Sequence, residues 1–185
     1  MDVTYVGLNL TSQLIEVAVR PTGERWKTDF ADENISAMAT KLKDIQPELV
    51  VMEANGTFEL SVAGILATQG LRFALVNPRN IREFARAIGR MSRADYGQAG
   101  LLAYFAEIVH PEARSLPEDL VQKLRELRAR REEITDILQV ERNRLENAAA
   151  TVQKGVQNHI FFLERSITAL DEEFNRAVRA SAAWR

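Results

Sequence analysis

A chain of 185 residues is long enough for one compact domain with a real core and a helical appendage. With 46% hydrophobic and 27% charged residues it is not disordered, and without cysteine it has no disulfide or thiolate metal site; its formal net charge of -2 gives no global sign of a polyanion partner. No apolar run reaches the roughly 20 residues that cross a bilayer, and the opening Met1-Asp2-Val3-Thr4 carries no secretory signal, so the expected setting is soluble and cytoplasmic with no membrane partner.

The first half alternates strands and helices. Residues 5–10 are a short apolar run of buried-strand type, residues 14–19 follow with β-branched side chains, and Pro21-Thr22-Gly23-Glu24 is a turn that returns the chain through residues 25–29. Three such strands in a meander are antiparallel neighbours. Ile35, Met38, Ala39 and Leu42 then recur at helical spacing behind Asp32 and Glu33. Residues 49–52 are a further buried strand, ended by Glu53-Ala54-Asn55-Gly56. A helix over about residues 58–69 stops at Gly70, residues 72–76 are the fifth strand, and Asn77-Pro78 opens the next helix.

The order β-β-β-α-β-α-β-α predicts an α/β fold: a mixed five-stranded sheet with flanking helices, laid out as in ribonuclease-H-like domains. Actin-like kinases share the opening element, so topology alone leaves the function open. From about Pro117 the strands vanish. Leu120, Leu124, Leu127, Ile134, Leu138 and Leu145 follow steps of three and four, with breaks at Arg131 and Glu141, and a second stripe runs from Val156 to Ala177. This spacing predicts two long helices in an antiparallel, coiled-coil hairpin turning at Gly155. The expected division is a ribonuclease-H-like domain over residues 1–115 and a helical extension over residues 116–185.

In a sheet of this layout, carboxylates at the ends of the first and fourth strands hold divalent ions that activate one phosphodiester oxygen and stabilise another. Hard oxygen ligands suit Mg²⁺ or Mn²⁺. Glu53 ends the fourth strand and emerges beside that position; the competing reading is a solvated loop acid. Asp95, in Arg93-Ala94-Asp95-Tyr96-Gly97-Gln98, is either a metal ligand or a helix N-cap. Between the two acids lies a basic tract of Arg72, Arg79, Arg82, Arg86, Arg90 and Arg93, opposed only by Glu83. Arg79, Arg82, Arg86 and Arg90 recur at steps of three and four, which predicts one helical face suited to phosphate contacts or, equally, a solvated basic face. His110 and His159 read as isolated structural residues.

Three segments in order carry a resemblance. Val6-Gly7-Leu8-Asn9-Leu10-Thr11-Ser12, Val50-Val51-Met52-Glu53-Ala54-Asn55-Gly56-Thr57-Phe58-Glu59 and Val76-Asn77-Pro78-Arg79-Asn80-Ile81-Arg82-Glu83-Phe84-Ala85-Arg86 resemble the opening, Met-Glu-Ala and Asn-Pro elements of IS110/IS1111-type insertion-sequence transposases. The later Arg130-Arg131, Glu141-Arg142-Asn143-Arg144-Leu145 and Leu163-Glu164 also fit. The resemblance implies an Asp-Glu-Asp-Asp metal set on a RuvC-like domain. Carried over, Glu53 and Asp95 match the Glu and an Asp, while Asn9 and Gln98 stand where the other two Asp residues are expected. An amide oxygen can coordinate a cation but brings no charge, so Mg²⁺ or Mn²⁺ binding is expected to be weak or absent.

Family members continue into a C-terminal domain bearing a serine nucleophile. The resemblance therefore implies DNA as a partner, a structured guide RNA in some members, a dimer or tetramer, and no recombination by this chain alone. Two other readings compete with this transposase domain: a stand-alone metal-dependent nuclease of Holliday-junction type, and a non-catalytic oligomerisation module.

Overall fold

The computed structural model describes residues 3–54, 59–89 and 93–181, with backbone only at residues 32 and 93–96. The chain divides into two compact units, Met1–Leu116 and Pro117–Arg185.

In the first unit, β1 (Tyr5–Leu10), β2 (Ile15–Arg20) and β3 (Arg25–Thr28) form the meander, followed by α1 (Asp32–Ile45), β4 (Leu49–Glu53), α2 (Glu59–Thr68), β5 (Phe73–Val76), α3 (Pro78–Ala87) and α4 (Arg93–Val109). The sheet order is β3-β2-β1-β4-β5. β1 pairs antiparallel with β2 and β2 with β3, whereas β4 runs parallel to both β1 and β5. This is the mixed, ribonuclease-H-like sheet expected from the element order. The turn between β1 and β2 is tied by Thr11, whose N–H donates to the Leu14 carbonyl at 3.0 Å and whose Oγ1 accepts from Leu14 N–H at 3.1 Å. That tie fixes the register, setting Gly7 opposite Ala18 and Asn9 opposite Glu16.

Side chains alternate between the two sheet faces. Tyr5, Leu49, Val51 and Val76 pack with Ile81 of α3 and Leu101, Leu102 and Phe105 of α4. α4 lies so close over β1 that a Cβ on Gly7 would sit 2.0 Å from the Ala99 carbonyl oxygen and 2.4 Å from the Ala103 nitrogen. The alternate residues Val6, Leu8, Val50 and Met52 face the other way and are fully buried, as are Ala39 and Leu42 of α1. Gly70 has the positive φ of 75° expected at the end of α2.

The second unit consists of α5 (Glu118–Glu146) and α6 (Ala150–Ala180). Glu118 and Asp119 lie in the first turn of α5, where the helix dipole favours anions. Lys123–Glu173 at 2.9 Å, Arg131–Asp171 at 2.7 Å and Arg142–Glu164 at 2.8 Å link the two helices, and their numbers run in opposite directions, so the helices are antiparallel. Ile134, Leu138 and Leu163 form a buried cluster flanked by Ile160, Ile167 and Leu170.

Two expectations are corrected here. The chain turns at residues 147–149, not at Gly155, which lies inside α6. Asn147 N–H closes the last turn of α5 onto Arg144 at 3.2 Å, whereas a single glycine costs a helix too little to end one. α5 runs on through Arg131 and Glu141, the two gaps in its apolar stripe. Arg131 reaches Asp171, and the buried Glu141 takes Arg144 at 2.8 Å and faces His159 at 3.5 Å. His159 is therefore not isolated, and His110 Nδ1 lies 3.2 Å from the Tyr5 hydroxyl.

Candidate functional site

The carboxyl ends of β1, β4 and β5 meet at one sheet edge, because these three strands are mutually parallel. Gly7 pairs with Val51, so Asn9 and Glu53, each two residues further on, share the face covered by α4. Glu16, opposite Asn9 on β2, and Lys27, opposite Glu16 on β3, share it too. Lys27, Glu16, Asn9 and Glu53 thus form a polar row on the sheet.

Hydrogen bonds join Lys27, Glu16 and Asn9 to one another, and Glu53 to Gln98. Asn9 Nδ2 donates to Glu16 Oε2 at 2.8 Å, and Lys27 Nζ lies 2.8 Å from Glu16 Oε1. Gln98 Nε2 of α4 donates to Glu53 Oε1 at 2.9 Å. The Lys27 hydrogen bond, then that of Asn9, holds the Glu16 carboxyl below its ordinary value of 4.5 against the opposing effect of burial. Asn9, Glu16, Glu53 and Gln98 are half-buried, so the two amide bonds are partly shielded from water, whereas the Lys27 side chain is exposed.

Of the four sequence-predicted metal positions, the structure brings Gln98 onto Glu53 and sets Asn9 on the same face. α4 begins at Arg93, so Asp95 lies within its first turn rather than at the N-cap, and its side chain is outside the described residues. Gly97, with φ 65° and ψ 175°, breaks α4 just before Gln98. Glu16 escaped the sequence reading. Its signal was a lone acid in an apolar strand, and only the hairpin register places it across from Asn9.

Each amide turns its nitrogen, not its oxygen, toward a carboxylate. Among the described residues, no group of three or more His, Cys, Asp or Glu is arranged to hold a metal.

α3 starts beyond the end of β5. Asn77 caps it by accepting from Arg79 N–H at 2.8 Å, and Pro78 occupies the first turn. Ala54 N–H donates to the Val76 carbonyl at 2.9 Å, which ties the residue after Glu53 to the strand that leads into α3. Ile81 is buried, while Arg79, Arg82 and Arg86 are exposed on the opposite side. Arg79 pairs with Glu83 at 2.8 Å; Arg82 and Arg86 are in no ion pair among the described residues. α3 ends at Ala87, and Gly89 has a φ of 71°, a conformation that glycine adopts without strain. Arg90 lies outside the described residues, as does the side chain of Arg93. Arg72 belongs elsewhere, paired with Glu48.

The family model for DEDD transposases of IS110 type, described as a transposase, matches residues 15–152. The chain belongs to the IS110 transposase family. The matched stretch of this transposase includes Glu16, Glu53, α3 and Gln98, and Asn9 lies just before it. No curated protein matches the chain. No helix among the described residues is long and apolar enough to cross a membrane.

Proposed function

We propose that this transposase domain binds nucleic acid through α3 and contributes to subunit assembly, with a divalent-metal site weakened by Asn9 and Gln98. The observation that carries the reading is the position of α3. Its exposed Arg82 and Arg86 rise from the sheet edge where Glu53 ends β4, which is where ligands of parallel strands gather. Guanidinium groups on one rigid face suit phosphates, and the missing acids at positions 9 and 98 reduce repulsion of a polyanion there. DNA, and a structured guide RNA where one is used, are the partners this chemistry fits. Mg²⁺ or Mn²⁺ would be held mainly by Glu53 and Asp95, and an amide oxygen at either remaining position adds no charge.

The test is binding of a labelled DNA duplex and a structured RNA across a salt series. Affinity is expected to fall with salt, and Arg82→Ala/Arg86→Ala to weaken it and reduce the logarithmic salt slope by roughly two. Binding unchanged by the double substitution would remove α3 from the interface.

A further inference from the structure

Half-buried carboxylates lose hydration and repel one another, and in a metal site the cation offsets both costs. In this chain N–H donors occupy those oxygens instead. Glu16 is engaged on both, by Lys27 at 2.8 Å and Asn9 at 2.8 Å, and Glu53 takes Gln98 at 2.9 Å. The donors come from β3, β1 and α4, and the acceptors from β2 and β4. These bonds tie the sheet from its β3 edge through β1, and β4 to the helix above it.

We propose that this row is a cation-independent latch, in which Glu16 is a positioning residue of the site and the three N–H donors do the joining that a divalent ion would otherwise do. The proposal rests on the weakened-site reading above. It explains why amides, rather than small or apolar residues, stand at positions 9 and 98: an amide is nearly isosteric with a carboxylate yet donates where the carboxylate repels. An Asp at position 9 would set its carboxylate against that of Glu16 across the strand pair, and an Asp at 98 would add an acid beside Glu53.

The experiment is thermal melting of the full chain in EDTA and in Mn²⁺, for the wild type, Asn9→Asp, Asn9→Asp/Gln98→Asp and Asn9→Asp/Glu16→Gln. The wild type is expected to melt at one temperature in both solutions. Asn9→Asp/Gln98→Asp is expected to melt about 5–10 °C lower in EDTA and to recover in Mn²⁺; should it not fold in EDTA, Asn9→Asp alone carries the comparison. Asn9→Asp/Glu16→Gln restores one amide–carboxylate pair with donor and acceptor exchanged, and should melt above Asn9→Asp in EDTA. Asn9→Asp melting with the wild type in EDTA, or no rescue by the exchanged pair, would overturn the latch while leaving the weakened site intact. A wild-type melting temperature raised by Mn²⁺ would overturn the weakened-site reading and the latch with it.

Discussion

Gly7 shows how one residue sets the site. Any side chain there meets the backbone of α4, with the Ala99 oxygen 2.0 Å from the added Cβ, and backbone cannot rotate away as a side-chain tip can. Gly7→Ala is therefore expected to lower the unfolding free energy by about 1–3 kcal/mol or more, read from urea denaturation, and to lift Gln98 from Glu53. Glu16 gives a second residue-scale prediction. Its folded pKa is lowered, so its contribution to stability is present above the ordinary value of 4.5 and is lost as pH falls through the folded value. Carboxyl titration by NMR should show Lys27→Ala raising the Glu16 pKa more than Asn9→Ala does, because the Lys27 bond is the larger cause. A larger rise from Asn9→Ala would reverse that order.

At the scale of elements, α3 is held by a cap at one end and stopped by a glycine at the other. Asn77→Ala removes the acceptor for Arg79 N–H and should cost about 1 kcal/mol, measured by chemical denaturation. Asn77-Pro78 announced that start in the sequence, since both residue types act through local backbone geometry. The end was less legible: arginine spacing carries no stop signal, whereas α3 ends at Ala87, just before the positive φ of Gly89. In the second unit, Leu163 is 4% exposed against Ile134 and Leu138, and Leu163→Ala should destabilise the α5–α6 pair by about 2–5 kcal/mol. The apolar stripes marked these helices correctly, while the turn position depended on which backbone groups closed the last turn of α5.

Over the whole molecule, charge is a local quantity. A net charge of -2 coexists with an exposed arginine face on α3, while other cations lie in ion pairs, such as Lys41–Glu24 and Arg20–Glu107. Arg72 belongs to the same basic tract in sequence but is paired with Glu48. Arg72→Ala should therefore leave nucleic-acid affinity within about two-fold in the assay that detects Arg82→Ala/Arg86→Ala. An equal loss from Arg72→Ala would mean that binding follows total charge rather than this face.

By itself the sequence determined the order and type of the elements, the mixed five-stranded sheet, the family, and the two amides among the expected acids. These are written in short-range signals: strand and helix periods, turn residues, and motifs contiguous along the chain. Only the tertiary structure decided that Glu16 belongs beside Asn9 and that Gln98 of α4 reaches Glu53 of β4. Those facts depend on strand register and on the close approach of α4 at Gly7, which bring together side chains far apart in sequence.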